Sequence, residues 1–368
     1  MKKIFIILIC LLFTSSVFAA EKKIKPKKTP LKKLSKQLKN GELIKIQSFQ
    51  ATTFKAIYEG WYKESPIEVD ALITYPEGDG PFPVLLIVHS SGGPGEFTAD
   101  WLEFMRDQQK PLLDMGIATM YLDNFSARGA KHTYRDQSKA SLWATYIDAF
   151  MALEYLSKQP KVNIKKVGVS GYSRGGNISL LASEKKLRDL LISKDLYFAA
   201  AQPRSPDCRI TGMFINPTPI KETKTWLVHG LADDYTLAGP CEDFAKKMQA
   251  NGGDVKIDLR EGWYHTFTGN YAVEPAPKTQ HFNKCPVWYT KDDGGLGKEY
   301  LDLLLKHGIF KSEDEFNEMM KENPKKAWQT AFKAMIKEKC IIKGVHEGGD
   351  HGKEFMPEYL KFWKDNLL

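Results

Sequence analysis

The chain has 368 residues, of which 42% are hydrophobic and 27% charged, so a packed globular protein is expected and disorder of the whole chain is excluded. Its formal charge of +8 is not a property of that globule: residues 1–39 contribute +10, which leaves about −2 for the rest. A nucleic-acid-binding domain is therefore not indicated, because the basic excess is confined to one end.

Met1-Lys2-Lys3 followed by the apolar run Ile4 to Phe13 and the small-residue site Val17-Phe18-Ala19 has the layout of a secretory signal peptide over residues 1–19. The run is too short for the roughly 20 apolar residues that span a bilayer, so no transmembrane span is expected once the signal is removed. Residues 20–40, rich in lysine, read as a basic flexible arm that at most makes weak contact with an anionic surface. A secreted or periplasmic location follows. Of the five cysteines Cys10 leaves with the signal, and an exported chain is expected to pair the other four. Three pairings are open; Cys208–Cys241 and Cys285–Cys340 are preferred because each closes a local region.

The domain is expected over 41–368. Val84 to Val88 is a continuous apolar run of the kind that forms a strand buried on both faces of a parallel sheet, and Ile117 to Leu122 is a second. Leu142, Ile147, Phe150, Leu153 and Leu156 recur at helical spacing and predict a helix over 138–158. A strand at Val167–Ser170, a helix from Arg174, strands at Thr225–His229 and Val255–Leu259, and a helix at Glu242–Ala250 between these last two complete the alternation. Alternating strands and helices imply an α/β architecture with a mostly parallel sheet, helices on both faces, and ligands at the carboxyl ends of the strands.

The chemistry-bearing motifs fall at those ends. Gly171-Tyr172-Ser173-Arg174-Gly175 follows a strand and opens a helix, the setting of a nucleophile elbow; the bland reading is a helix-capping serine. A serine hydroxyl needs a base to take its proton. His265, in Gly262-Trp263-Tyr264-His265-Thr266-Phe267, lies in the loop after the next-but-one strand, and Asp233 or Asp234 lies just beyond the strand before it. Asp233 is preferred as the acid. His89 and His229 are expected to shape their loops. The oxyanion of a tetrahedral intermediate is expected to be held by the backbone N–H groups of Arg174 and Ser91, the latter in His89-Ser90-Ser91-Gly92-Gly93. His346-Glu347-Gly348-Gly349-Asp350-His351 has a five-residue spacing and paired glycines that oppose a zinc helix, so a surface loop is expected there and no metal site.

Together the HSSGG turn, Asp123-Asn124-Phe125 with Arg128-Gly129, the GYSRGG elbow, HGLADD with Pro240-Cys241-Glu242, and GWYHTF resemble the dienelactone hydrolase family over about Val69 to Phe267, with Met356 to Leu367 as the closing helix. The resemblance implies an α/β-hydrolase fold and hydrolysis of a small-molecule ester or lactone without metal or organic cofactor. It maps nucleophile, acid and base onto Ser173, Asp233 and His265. The family's namesakes have cysteine at the elbow; serine here favours ordinary esters through an acyl-enzyme. Residues 270–350, with the charged helical run Ser312 to Lys339, exceed the usual link and form either a cap-like lobe near the site or a peripheral decoration. Arg128 and Arg204 read as structural ion pairs or carboxylate binders, and Trp263 and Tyr264 as pocket lining or core. A peptidase on the same fold and an inactive envelope binding protein are the alternatives.

Overall fold

The computed structural model describes residues 26–98 and 108–368, so the expected signal segment and residues 20–25 of the arm lie outside the described residues. Eight strands form the central sheet: β1 (Gly41–Phe49), β2 (Pro66–Thr74), β3 (Phe82–Val88), β4 (Ala118–Asp123), β5 (Val162–Tyr172), β6 (Ala200–Arg204), β8 (Lys224–Gly230) and β9 (Val255–Arg260), with β7 (Met213–Phe214) left for a small pair described below. Their order is β1-β2-β4-β3-β5-β6-β8-β9. The β1–β2 and β2–β4 pairs are antiparallel and all the others parallel. This is the α/β-hydrolase arrangement.

Alternation along each strand divides the core into two layers. Val84, Leu86 and Val88 of β3 point to the face covered by Tyr146, Ile147, Phe150 and Leu153 of the helix Leu142–Leu156. Leu85 and Ile87 point to the other face, where Trp226 and Val228 of β8 meet Phe355, Tyr359 and Trp363 of the last helix, Gly352–Leu367. Fully burying one such large side chain stabilises the fold by about 1.5–3 kcal/mol, so the two layers hold the strand ends that carry the site. The helix predicted over 138–158 starts later because Ser141 is extended and a tight turn occupies Gln137–Lys139.

Two expectations are corrected here. The basic arm is not free up to residue 40: Leu31 and Leu34 of the helix Leu31–Ser35 are buried against Leu72, Leu85 and Phe97, and the Lys27 N–H donates to Ser126 O at 2.8 Å. Their spacing of three places both leucines on one helical face. The stretch His346 to His351 is not a surface loop but the end of β12 (Ile342–Gly349), paired antiparallel with β10 (Tyr271–His281), and the start of the last helix.

The 270–350 segment is built into the domain. After β10 comes β11 (Tyr289–Thr290), which pairs with β7, followed by helices Lys298–Lys306, Glu313–Glu322 and Pro324–Lys337. Trp288 stacks on Tyr300 at 4.3 Å, and its neighbours Trp328 and Phe332 continue into the core cluster that contains Trp143 and Phe54. The cysteines pair as Cys208–Cys241 and Cys285–Cys340, with S–S distances of 2.02 and 1.96 Å. The second bridge spans 55 residues and ties β10's exit to the start of β12. Constraining a loop of that size in the unfolded chain stabilises by about 2–4 kcal/mol. The double variant Cys285→Ser/Cys340→Ser is expected to lower the urea midpoint correspondingly; an unmoved midpoint would show that the bridge adds nothing to stability.

Candidate active site

Ser173 stands between β5 and the helix Arg174–Leu181 with φ 56° and ψ −116°, a conformation that non-glycine residues rarely adopt. The turn closes because its glycines have no side chains: a Cβ on Gly171 would lie 2.3 Å from the Gly175 backbone, and one on Gly175 would lie 2.3 Å from Val88 O. The Ser173 N–H donates to Arg204 O at 2.8 Å, which locks the turn to β6. The hydroxyl is thus lifted above the carboxyl edge of the sheet.

His265 reaches it from the loop after β9, with Nε2 3.0 Å from Ser173 Oγ. The opposite ring nitrogen, Nδ1, lies 2.7 Å from Asp233 Oδ2. These partners assign the tautomer that donates from Nδ1 and accepts at Nε2. Asp233 is fixed in turn: its Oδ1 accepts from the N–H groups of Tyr235 at 2.9 Å and Thr236 at 2.8 Å, and its Oδ2 from the Thr236 hydroxyl at 2.9 Å. All three side chains are buried. The structure therefore brings together Ser173, His265 and Asp233. It leaves Asp234 out, half-exposed and paired with His346.

Electrostatics follow from burial and pairing. Burial alone disfavours the imidazolium of His265, but the Asp233 charge and hydrogen bond outweigh it, and the pKa is raised. Burial likewise opposes ionisation of Asp233, yet the histidine partner and the backbone donor of Thr236 hold its carboxyl below the usual range. His89 and His229 serve their loops, as expected. The His89 Nε2 accepts from Asn124 N–H at 3.1 Å, and the His229 Nε2 donates to Pro206 O at 3.2 Å.

Ser173 and His265 face a cavity of about 360 Å³ lined by Ser91, Glu96, Tyr134, Tyr172, Tyr235 and Glu347, among others. Grooves of about 920 and 720 Å³ lie elsewhere on the surface and do not reach Ser173. Ser91 borders the cavity, and the backbone of Arg174 opens the helix directly after Ser173. The Arg174 guanidinium points away, donating to Gln137 Oε1 at 2.8 Å and lying 5.5 Å from the Phe125 ring centre.

Several sequence expectations take other roles. Trp263 packs among Phe267, Phe355 and His351, and Tyr264 sits near His346; neither lines the cavity. The rings that flank His265 are Tyr172 and Tyr235, with centroids 5.0 and 4.4 Å away. Arg128 pairs with Asp148 at 2.7 Å. Arg204 is buried below the rings of Phe355 and Tyr359 with no carboxylate partner among the described residues, which corrects the ion-pair expectation for it. His346 and His351 turn to different partners, Asp234 and the Trp263 ring, so they do not converge on one point.

Sequence reasoning passed over Glu96, Glu347 and Thr236. Glu96 is buried, accepts from the Ser90 N–H and hydroxyl, and its carboxyl is pushed up to about 7 by burial. Its signal was a lone acid three residues beyond the HSSGG turn, in HSSGGPGE. Glu347 stood out only within the His346 to His351 motif weighed for a metal, because its place at the cavity depends on the pairing of β10 with β12.

The sequence profile of the dienelactone hydrolase family matches residues 69–288. The chain belongs to the dienelactone hydrolase family. Among solved structures it is similar to the dienelactone hydrolase-like promiscuous phosphotriesterase P91 from metagenomic libraries, at 15% identity over 62% of this chain and 85% of that one, with a TM-score of 0.41. It is also similar to Est1E from Butyrivibrio proteoclasticus, at 16% identity over 54% and 86% of the two chains, with a TM-score of 0.37. The apo form of Thermogutta terrifontis esterase 2 is 17% identical over 54% and 80%, with a TM-score of 0.41. No curated protein matches the sequence. Membership of the dienelactone hydrolase family supports an ester hydrolase acting on small molecules. No helix among the described residues is long and apolar enough to cross a membrane.

Proposed function

We propose that this protein is an exported serine hydrolase that cleaves carboxylic esters or lactones through an acyl-enzyme. The observation that carries the reading is the continuous chain Ser173 Oγ, His265 Nε2, His265 Nδ1, Asp233 Oδ2, with links of 3.0 and 2.7 Å. Ser173 Oγ attacks the carbonyl carbon while His265 takes the hydroxyl proton. The resulting oxyanion accepts hydrogen bonds from the backbone N–H groups of Arg174 and Ser91. Collapse expels the alcohol, which receives the proton from His265, and leaves the acyl group on Ser173. Water then attacks the acyl carbon with His265 again as base, and the acid is released. Asp233 holds the tautomer and stabilises the imidazolium. Both cysteine pairs at bonding distance agree with an oxidising, extracytoplasmic location.

The mature protein is expected to be labelled by a fluorophosphonate probe and to hydrolyse short-chain 4-nitrophenyl esters. No labelling and no turnover would sink this reading. The pH dependence is a second check. The base must be neutral to accept the proton, so kcat/KM rises as pH passes upward through the His265 pKa. Because that pKa is raised, the midpoint of the acid limb is expected above the ordinary histidine value of about 6.5. A midpoint below it would contradict the Asp233–His265 coupling.

A further inference from the structure

In the proposed reaction the tetrahedral carbon has four substituents, and each has its own direction. Ser173 Oγ is the nucleophile, and the oxyanion faces the N–H groups of Ser91 and Arg174. The leaving oxygen must come within reach of His265, which returns the proton to it. The acyl remainder takes the direction that is left.

Two spaces meet at Ser173, and they differ in size and in what borders them. The cavity of about 360 Å³ is bordered by His265 and Thr266 and, on its far wall, by Pro277 and Thr279 of β10. The second is a recess of about 20 Å³, bordered by Leu142, Arg174, Ile210 and Phe282 but not by His265. Ser91, Ser173 and Tyr235 border both. The leaving group belongs in the larger space, because only there is the proton donor at hand. The recess is left for the acyl group.

The walls of the recess are held in place. Leu142, Ile210 and Phe282 are buried, and Phe282 meets Phe332 edge-on with ring centres 5.9 Å apart. Gln137 Oε1 accepts from Arg174 Nη2 at 2.8 Å, and Asn177 Oδ1 accepts from the Asp207 N–H at 2.6 Å. Cys208, two residues before Ile210, is bridged to Cys241. A space of about 20 Å³ holds roughly one water-sized group, which is the methyl of an acetyl group. Packed walls do not open for a longer chain without strain, and each surplus methylene in such a pocket costs about 10-fold or more in kcat/KM.

We infer that the protein selects the shortest acyl groups, acetyl above all, and takes its bulk on the alcohol side, so that its substrates are acetate esters of larger alcohols. This rests on the hydrolase reading and narrows it to a substrate class.

The test compares hexyl acetate with ethyl hexanoate, and uses 4-nitrophenyl acetate as a general ester. The first two are isomers that carry their bulk on opposite sides of the ester bond, so overall hydrophobicity does not separate them. The parent protein is expected to favour hexyl acetate by about 100-fold or more in kcat/KM. Ile210→Ala and Leu142→Ala each remove part of one wall of the recess, and each is expected to lower that preference about 10-fold. Equal use of the two isomers by the parent, or a preference for ethyl hexanoate, overturns the substrate class without needing any variant. A preference unmoved in both variants overturns the recess as the acyl site. Cleavage of 4-nitrophenyl acetate but of neither isomer also overturns the inference and leaves the hydrolase reading standing. If all three esters remain intact with the parent, the hydrolase reading falls and this inference falls with it.

Discussion

Replacing Ser173 by alanine is expected to lower kcat for 4-nitrophenyl butyrate by about 10⁵–10⁶-fold, with His265→Ala costing nearly as much and the double variant little more than either. The non-additivity follows from the geometry. In the proposed acylation step Ser173 Oγ is activated through the nitrogen 3.0 Å away, and that nitrogen takes its proton from the serine. Once one of them is missing, the other has no step to perform. Asp233→Asn is expected to cost about 10⁴-fold, because an amide can donate to Nδ1 and so favours the wrong tautomer. Single-turnover kinetics with a chromogenic ester separates acylation from release and checks that the loss lies in the chemical step. Additive losses for Ser173→Ala and His265→Ala would mean that the two side chains do not act on one proton.

Arg128→Ala is expected to destabilise the fold by about 3–5 kcal/mol, since it strands a buried carboxylate. Asp148 sits on the helix Leu142–Leu156 with its side chain fully enclosed. Arg128 grips it through two nitrogens, at 2.7 and 3.0 Å, and the Asn124 amide adds a donor at 2.7 Å. The same guanidinium donates to Gln50 Oε1 and Asn124 O, so one cation joins the chain after β1, the end of β4 and the first covering helix. Removing the arginine leaves the buried Asp148 carboxylate without its cation. Replacing both partners by apolar residues, as in Arg128→Met/Asp148→Leu, is expected to cost less than the single change. Urea denaturation with an unchanged slope measures both. A double variant as unstable as the sum of the two singles would show that the pair is not coupled.

Much of the sheet was legible because its inner strands are buried on both faces. Val84 to Val88 and Ile117 to Leu122 are continuous apolar runs, and such runs have few other places to go. Strand β6, Ala-Ala-Gln-Pro-Arg, was not legible: alanine, glutamine and proline carry no strand preference, and the segment is extended because β5 and β8 flank it with partners. The convergence of Ser173, Asp233 and His265 was readable because each lies within a few residues of a predictable strand end, so local order in the chain becomes proximity at one edge of the sheet. Local rules also separated Asp233 from Asp234 only as a preference; the hydrogen bond of 2.7 Å to His265 distinguishes them in space.

The sequence by itself determined the α/β alternation, the serine at a strand-to-helix turn and the ordered partners behind it, since these depend on short-range periodicity and on glycines that permit close backbone approach. Tertiary structure alone decided what surrounds them. It docked Leu31 and Leu34 on the sheet, kept Trp263 and Tyr264 from the cavity, set Tyr172 and Tyr235 beside His265, and carried Glu347 across more than eighty residues of chain to the cavity wall. The physical reason is that a cavity is lined by side chains from several distant loops. Their meeting is set by strand pairing, such as β10 with β12, and by packing of the 270–350 segment on the core, neither of which has a local signature in the chain.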